Sequence, residues 1–425
     1  MIKTLSAAPH IGIITLYLLG RLLTVVLSVL TIYVTYRVGE KIFNRTAGLI
    51  SALFISAAHL HITNSYTITC DSPMALWVML SFFMSVLIYD RGPKWKYYLL
   101  SGTFCGLAAG TKYTGVFCAV SMVCAHIYVS SSEPKKVSIA RLLSGLVMIP
   151  VAFIFTTPYS LIDYTGFIHN GLVYQQRAYA LGHPGWERDV VSYGAYLGQL
   201  VKGYGLLQMA LAGVGMVFLW IKNRRMAFLL LSFPIFYYLF MGAYKVYFAR
   251  NMTVLIPFLA LFSAYGVYVV LTDFKKHILI AFSVVVLAVF GVYQQTQSAL
   301  EEIRKSTLPD IRLASAVWIE QNIPAGVKIA RELYTPDMNE LKYSVTRIWS
   351  LAQLDMEEIK SHDYLIASSL QYERYFRDRD RYKEEVQKYE GIFADYKTIK
   401  EFIPDDVTTG GPIIKIIKVP SVRNR

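Results

Sequence analysis

Apolar stretches about as long as a bilayer is thick recur along this chain, at roughly 12–38, 47–66, 72–89, 139–157, 204–221, 226–243, 251–272 and 278–294. A helix that crosses the hydrocarbon core needs about 20 mainly apolar residues. Two tighter runs, at 97–110 and 113–130, are parted by a single charge, Lys112, and bring the set to about ten. Composition agrees, because 55% hydrophobic residues and a mean hydropathy of +0.41 lie outside the range of soluble globular chains. The expected fold is a polytopic α-helical membrane protein with a small C-terminal α/β domain.

Lys and Arg near helix ends are retained on the cytoplasmic side, so they orient the bundle. If the helices alternate, one set of connections carries Arg37, Lys41, Arg45, Arg91, Lys94, Lys96, Lys135, Lys136, Arg141, Lys222, Arg224, Arg225, Lys275 and Lys276. That set is assigned to the cytoplasm. The other holds Lys3, Arg21, Lys112, Arg177, Arg188, Lys202, Lys245 and Arg250 over longer segments, and is assigned to the outer face. The excess of 22 basic over 8 acidic residues up to position 294 is thus a topology signal, and nucleic acid is not expected as a partner.

After Gln294 the texture changes. Residues 295–425 mix charge with short β-type runs at 327–330, 363–368 and 412–419 and a helical stretch at 308–322, which is the pattern of a soluble α/β domain. The division expected is a membrane domain at 1–294, with an outer loop at about 157–203, and an extracytoplasmic domain at 295–425. Cys70, Cys105, Cys118 and Cys124 have no metal-ligand spacing and no obvious disulfide framework.

Polar groups that meet the outer face carry the chemistry, because ionisable residues at membrane depth are costly and are usually functional or paired. Asp71 is the only acid on that face before Asp163, in the sequence Thr69-Cys-Asp71-Ser-Pro73. Its plainer role is an N-cap, since Asp followed by Ser-Pro starts helices well. Arg21, Lys112, Lys245 and Arg250 all fall near outer helix ends, where they could converge on a phosphate, Arg as a bidentate fork and Lys as a point charge. Snorkelling to headgroups is the alternative fate of each. Lys245-Val-Tyr247-Phe-Ala-Arg250 packs two charges and two aromatics into a short turn. The long outer loop holds Tyr159, Asp163, His169, His183, Trp186, Arg188 and Asp189. The spacing of His169 and His183 matches no standard metal site, and His59 and His61 sit on different helix faces.

Several blocks in order resemble the polyprenyl-phosphate-sugar-dependent glycosyltransferases of the GT-C fold, including the protein O-mannosyltransferase-like and lipid A aminoarabinose transferase-like enzymes. They are Gly20-Arg21-Leu-Leu, Phe43-Asn-Arg-Thr-Ala-Gly48-Leu, Ser65-Tyr-Thr-Ile-Thr69-Cys-Asp71-Ser-Pro73, Gly106-Leu-Ala-Ala-Gly110-Thr-Lys112-Tyr-Thr-Gly115, Thr156-Thr-Pro158-Tyr159 with Asp163, and Lys245 to Arg250 leading to Pro257.

The resemblance implies transfer of a sugar from a polyprenyl-phosphate-linked donor to a lipid, glycan or protein acceptor at the outer face of a bacterial or archaeal plasma membrane. It implies Asp71 as a catalytic residue that orients acceptor or sugar, or helps to hold a divalent metal. Arg21, Lys112, Lys245 and Arg250 are implied to take the leaving phosphate, and Tyr159, Asp163 and Tyr247 to bind substrate. One departure stands out. Family members carry their principal catalytic acid in a first outer loop after an additional helix, and residues 1–17 here contain no Asp or Glu. A chain truncated at its N-terminus, or one that has lost catalysis, is the expectation. The alternatives in other classes are an anion or lipid transporter and a non-catalytic membrane scaffold.

Overall fold

The computed structural model describes residues 13–132, 138–185, 191–273 and 277–420. Lys3, Lys135, Lys136, Trp186, Arg188, Asp189, Lys275 and Lys276 lie outside them. The chain divides into two compact units. One gathers described residues up to Gly182 and from 191 to Leu300; the other gathers those from Glu301 onward, with His183–Gly185.

The first unit is helical. It comprises α1 (Ile13–Ile42), α2 (Arg45–Ala57), α3 (His59–Ser65), α4 (Asp71–Arg91), α5 (Trp95–Thr111), a 3-10 turn Tyr113–Cys118 running into α6 (Ala119–Ser132), and α7 (Ile139–Thr156). After the short helical turns of 157–173 come α8 (Tyr174–Leu181), α9 (Tyr193–Tyr204), α10 (Leu206–Lys222), α11 (Arg224–Gly242), a 3-10 turn Ala249–Leu255 leading into α12 (Ile256–Asp273), and α13 (Ile278–Thr307), whose residues from Glu301 on group with the second unit.

Among the described residues seven helices are long and apolar enough to cross a membrane, or nine if each of two bent pairs is one span. This bears out the polytopic helical membrane fold expected from the sequence. The run at 47–66 breaks by 63° between α2 and α3, and α9 meets α10 at 107°. Gly205, with φ +97°, makes the second corner, a conformation that an L side chain would strain. The run at 97–110 forms α5, whose 17 residues reach only about 26 Å at 1.5 Å per residue, short of the ~30 Å hydrocarbon core.

Glycines set how closely these helices approach. A Cβ on Gly102 or Gly106 of α5 would lie 1.9 Å from Gly145 O or 2.4 Å from Ile149 O of α7. Gly215 and Gly266 do the same for α10 and α12, with Phe262 O at 1.9 Å and Leu211 O at 2.5 Å. Small residues are the usual means of close approach where lipid supplies no hydrophobic drive between helices.

The second unit is a five-stranded sheet in the order β2-β1-β3-β5-β4, built from β1 (Lys328–Arg331), β2 (Ser344–Arg347), β3 (Tyr364–Ser368), β4 (Lys397–Phe402) and β5 (Ile414–Lys418). β1 runs parallel to both β2 and β3, while β5 is antiparallel to β3 and β4. Alternation along β3 sends Tyr364 and Ile366 to one core, with Ile311 and Ile319 of α14 (Ile311–Asn322). Leu365 and Ala367 go to the other, with Tyr372 of α16 (Ser369–Phe376) and Tyr389 of α17 (Lys383–Asp395); α15 (Met356–Lys360) precedes β3. Helices therefore cover both faces of the sheet.

Just past β1, Glu332 is 2% exposed and accepts hydrogen bonds from the Ser368 N–H (2.7 Å), the Leu351 N–H (3.0 Å) and the Tyr389 hydroxyl (2.5 Å). Burial outweighs these donors and pushes its carboxyl up to about 7 from 4.5.

Two predictions follow from this packing. Gly215→Val forces α10 from α12 and lowers the thermal midpoint by the equivalent of about 1–3 kcal/mol, whereas Gly213→Ala, with nothing within 4 Å, leaves it unchanged. Because the folded state of Glu332 binds its proton more tightly than the unfolded, its contribution is full below pH 4.5 and is lost as pH rises through about 7, about 3 kcal/mol in all. The ratio of cleavage rates within 301–425, wild type over Glu332→Gln, should therefore rise from pH 5 to pH 8.

Candidate active site

Asp71 begins α4, but it does not cap it. Cys70 holds the N-cap position without a side-chain bond, and the Asp71 carboxylate, 1% exposed, turns to Lys112 instead, with Oδ1 2.7 Å from the ammonium. An acid in the first turn is still favoured by the helix dipole.

Lys112 ends α5 in extended backbone, φ −155° and ψ 127°, and the 3-10 turn that follows returns the chain toward the bundle. Gly115 permits that return, because a Cβ there would meet Ala108 O at 2.5 Å. The Lys112 ammonium donates to Asp71 Oδ1 and, also at 2.7 Å, to Asn251 Oδ1.

Asn251 is fully buried and has every polar group engaged. Its side-chain amide nitrogen donates to the Tyr196 hydroxyl at 2.8 Å and toward the Tyr179 hydroxyl at 3.4 Å, and its backbone carbonyl accepts from the Tyr237 hydroxyl at 2.9 Å. Its neighbour Arg250 places Nε 3.8 Å from Asp71 Oδ2 and stacks its guanidinium 4.9 Å above the Phe248 ring, with half the side chain exposed. Asp71 Oδ2 has no hydrogen-bond partner among the described residues. The arrangement is thus one buried carboxylate with a free oxygen, one buried ammonium and one half-exposed guanidinium.

Of the residues singled out in the sequence, the structure brings Asp71, Lys112 and Arg250 together. Arg21 and Lys245 are exposed and form no ion pair with Asp71 among the described residues; the Lys245 carbonyl instead accepts from the Ser192 hydroxyl. Tyr247 lies with its ring 6.4 Å from that of Tyr196. Tyr159 is 70% exposed, and Asp163 caps the turn Tyr164–Gly166 by accepting from the Gly166 N–H. His169 falls in a π-helical turn, Phe167–Val173. Among the described residues no three of His, Cys, Asp or Glu gather to hold a metal ion, and a cation at Asp71 would compete with the Lys112 ammonium for Oδ1. Asn251 was not anticipated. Its signal was available, as an amide at the head of an otherwise apolar run.

With this geometry in view, the comparisons fall into place. The sequence profile of the dolichyl-phosphate-mannose-protein mannosyltransferases matches residues 18–161, which include Asp71 and Lys112. No curated protein sequence matches the chain. Among solved structures, ArnT from Cupriavidus metallidurans bound to undecaprenyl phosphate superposes with a TM-score of 0.58 at 13% identity, over 93% of this chain and 83% of that one. The oligosaccharyltransferase of Archaeoglobus fulgidus tethered with an acceptor peptide gives 0.56 at 13% identity, over 94% of this chain and 63% of its own. The archaeal oligosaccharyltransferase AglB from Archaeoglobus fulgidus, in complex with an inhibitory peptide and a dolichol-phosphate, gives 0.53 at 13% identity, over 89% of this chain and 62% of that one. The chain shares the GT-C fold of these solved structures.

Removing one partner of a buried ion pair leaves the other uncompensated and costs about 3–5 kcal/mol. Asp71→Asn should accordingly lower the thermal midpoint sharply, and adding Lys112→Met to it should restore most of the loss. Additive losses in the double variant would mean that the two side chains do not stabilise each other.

Proposed function

We propose that this chain transfers a sugar from a polyprenyl-phosphate-linked donor to a lipid, glycan or protein hydroxyl at the outer membrane face. The observation that carries the reading is the buried Asp71–Lys112 pair with Arg250 beside it. The matched relatives support it, since one was solved with undecaprenyl phosphate and another with a dolichol-phosphate.

The reaction makes a bond from the acceptor oxygen to the anomeric carbon and breaks the bond from that carbon to the phosphate. The electron pair leaves with the phosphate, and the acceptor proton needs a base. Lys112 and Arg250 offer the donors on which the negative charge of the departing phosphate settles, in surroundings where little water competes. Asp71 Oδ2, the oxygen that Lys112 does not hold, is the acceptor for the proton. A phosphate that draws Lys112 toward itself loosens that ammonium from Oδ1 and leaves the carboxylate exposed to the acceptor. Asn251 keeps Lys112 within reach of both. A positioning role of this kind belongs to a residue whose partners are all fixed, as those of Asn251 are.

The test is transfer of radiolabelled sugar from polyprenyl-phosphate donors to a membrane extract by the purified chain in nanodiscs. Lys112→Met and Arg250→Met should each lower turnover by about 10²–10³, as loss of a donor to a developing oxyanion does. Asn251→Leu should lower it less and should raise the donor KM. Turnover that survives Asp71→Asn and Lys112→Met unchanged overturns the assignment.

A further inference from the structure

The second unit carries polar groups that the proposed reaction does not use. They run from the last residue of β3 along α16, the helix that leaves its carboxyl end. Ser368 and Gln371 are fully buried and Arg374 is 9% exposed, and the three stand at three-residue intervals on successive turns. Among the described residues Ser368 Oγ, both amide atoms of Gln371 and Arg374 Nη1 have no hydrogen-bond partner. A Gln whose oxygen and nitrogen are both unmet leaves one donor and one acceptor open whichever way its amide is turned.

The place in the fold is also particular. The chain passes from β1 to β2 on one side and then to β3 on the other, so the strand order reverses at β1 and β3. In open sheets, ligands bind outside the carboxyl ends of the strands at such a reversal. Ser368 ends β3, and Glu332, whose carboxylate accepts from the Ser368 N–H, follows β1 directly. Arg374 spreads its guanidinium 4.9 Å above the Tyr334 ring, in the loop after Glu332.

We propose that this row binds the hydroxyl groups of a neutral sugar. The count of donors and acceptors selects the class. Arg374 Nη1 and the Gln371 amide nitrogen donate, the Gln371 amide oxygen accepts, and the Ser368 hydroxyl does either. A carboxylate ion only accepts, so it leaves the Gln371 oxygen unmet, and a phosphate brings too few O–H donors to serve both that oxygen and the Ser368 hydroxyl as a run of sugar hydroxyls can. A vicinal diol meets an amide with one hydroxyl donating to the oxygen and the next accepting from the nitrogen. His183–Gly185, which groups with this unit, closes over the Arg374 end: Gly185 has φ +78°, and a Cβ on it would come 2.9 Å from Arg374 Cβ. A ligand reaches the row by displacing that strap.

The experiment is hydrogen exchange, read by mass spectrometry, on the full chain in nanodiscs with methyl glucoside, methyl mannoside or methyl arabinoside up to 50 mM, and with inorganic phosphate in parallel. At least one glycoside is expected to slow exchange of peptides covering 366–376 by threefold or more, and Gln371→Leu to abolish that protection while Asp71→Asn keeps it. Gln371→Leu should stabilise the unliganded protein whatever the row binds, so a folded variant is available for the comparison. Absence of protection by all three glycosides overturns the proposal, as does protection by phosphate alone or protection that survives Gln371→Leu. Because the readout involves no transfer, it stands or falls apart from the catalytic reading.

Discussion

The ammonium of Lys112 is anchored at two fixed points, Asp71 Oδ1 and Asn251 Oδ1, each 2.7 Å away, and the end of the helical bundle is organised around that fact. A charge with only 18% of its side chain exposed keeps its place only if the protein replaces the water it has lost. Asp71 supplies the opposite charge. Asn251 supplies a dipole; its amide nitrogen donates to Tyr196, so the amide cannot rotate to present that nitrogen without breaking the bond, while Tyr237 holds its backbone carbonyl. Three segments far apart in sequence, the start of α4, the end of α5 and the turn before α12, are thereby fixed to one point.

That convergence depends on backbone geometry some distance away. Lys112 lies where it does because α5 rests against α7 on Gly102, Gly106 and Gly110, with neighbouring backbone and side-chain oxygens 1.9–2.4 Å from where a Cβ would stand. Larger residues would lift α5 and carry Lys112 with it. At the other end of the chain, Asn251 follows from α10 and α12 meeting through Gly215 and Gly266. The block Gly106 to Gly115 that resembles a family motif is, in physical terms, a seam of close packing that ends in a charge.

Much of this was legible in the sequence, and what was not has identifiable causes. Long apolar runs marked the helices because length and polarity decide whether a segment crosses a bilayer. The break between α2 and α3 was hidden, since it falls at Ala58, φ −63° and ψ 119°, with no Gly or Pro to mark it. In the second unit β1, β3 and β5 read as strands because they are buried and apolar. β2, Ser-Val-Thr-Arg, and β4, Lys-Thr-Ile-Lys-Glu-Phe, are the edge strands, mostly exposed, and carry no such signal. Charge in an apolar setting pointed to Asp71, Lys112 and Arg250. The same rule also picked Arg21 and Lys245, because a linear sequence reports the membrane face on which a residue falls and not whether side chains on that face converge. Asn251 carries no charge and was passed over, although it holds the Lys112 ammonium as closely as Asp71 does.

The half-exposed Arg250 shows why the site holds two cations of different kinds. Asp71 and Lys112 sum to zero, so the buried pair alone offers little to draw an anion from solution. Arg250, 51% exposed and steadied by the Phe248 ring, adds the uncompensated charge at the rim, 3.8 Å from the carboxylate. A phosphate would meet the guanidinium first, because it is the accessible one, and only then compete with Asp71 for the ammonium beneath it. The order matters energetically. Each cation that turns toward the phosphate leaves the carboxylate less compensated in a medium where charge is costly. The pairing that stabilises the buried carboxylate is therefore also what sets the cost of drawing Lys112 away from it.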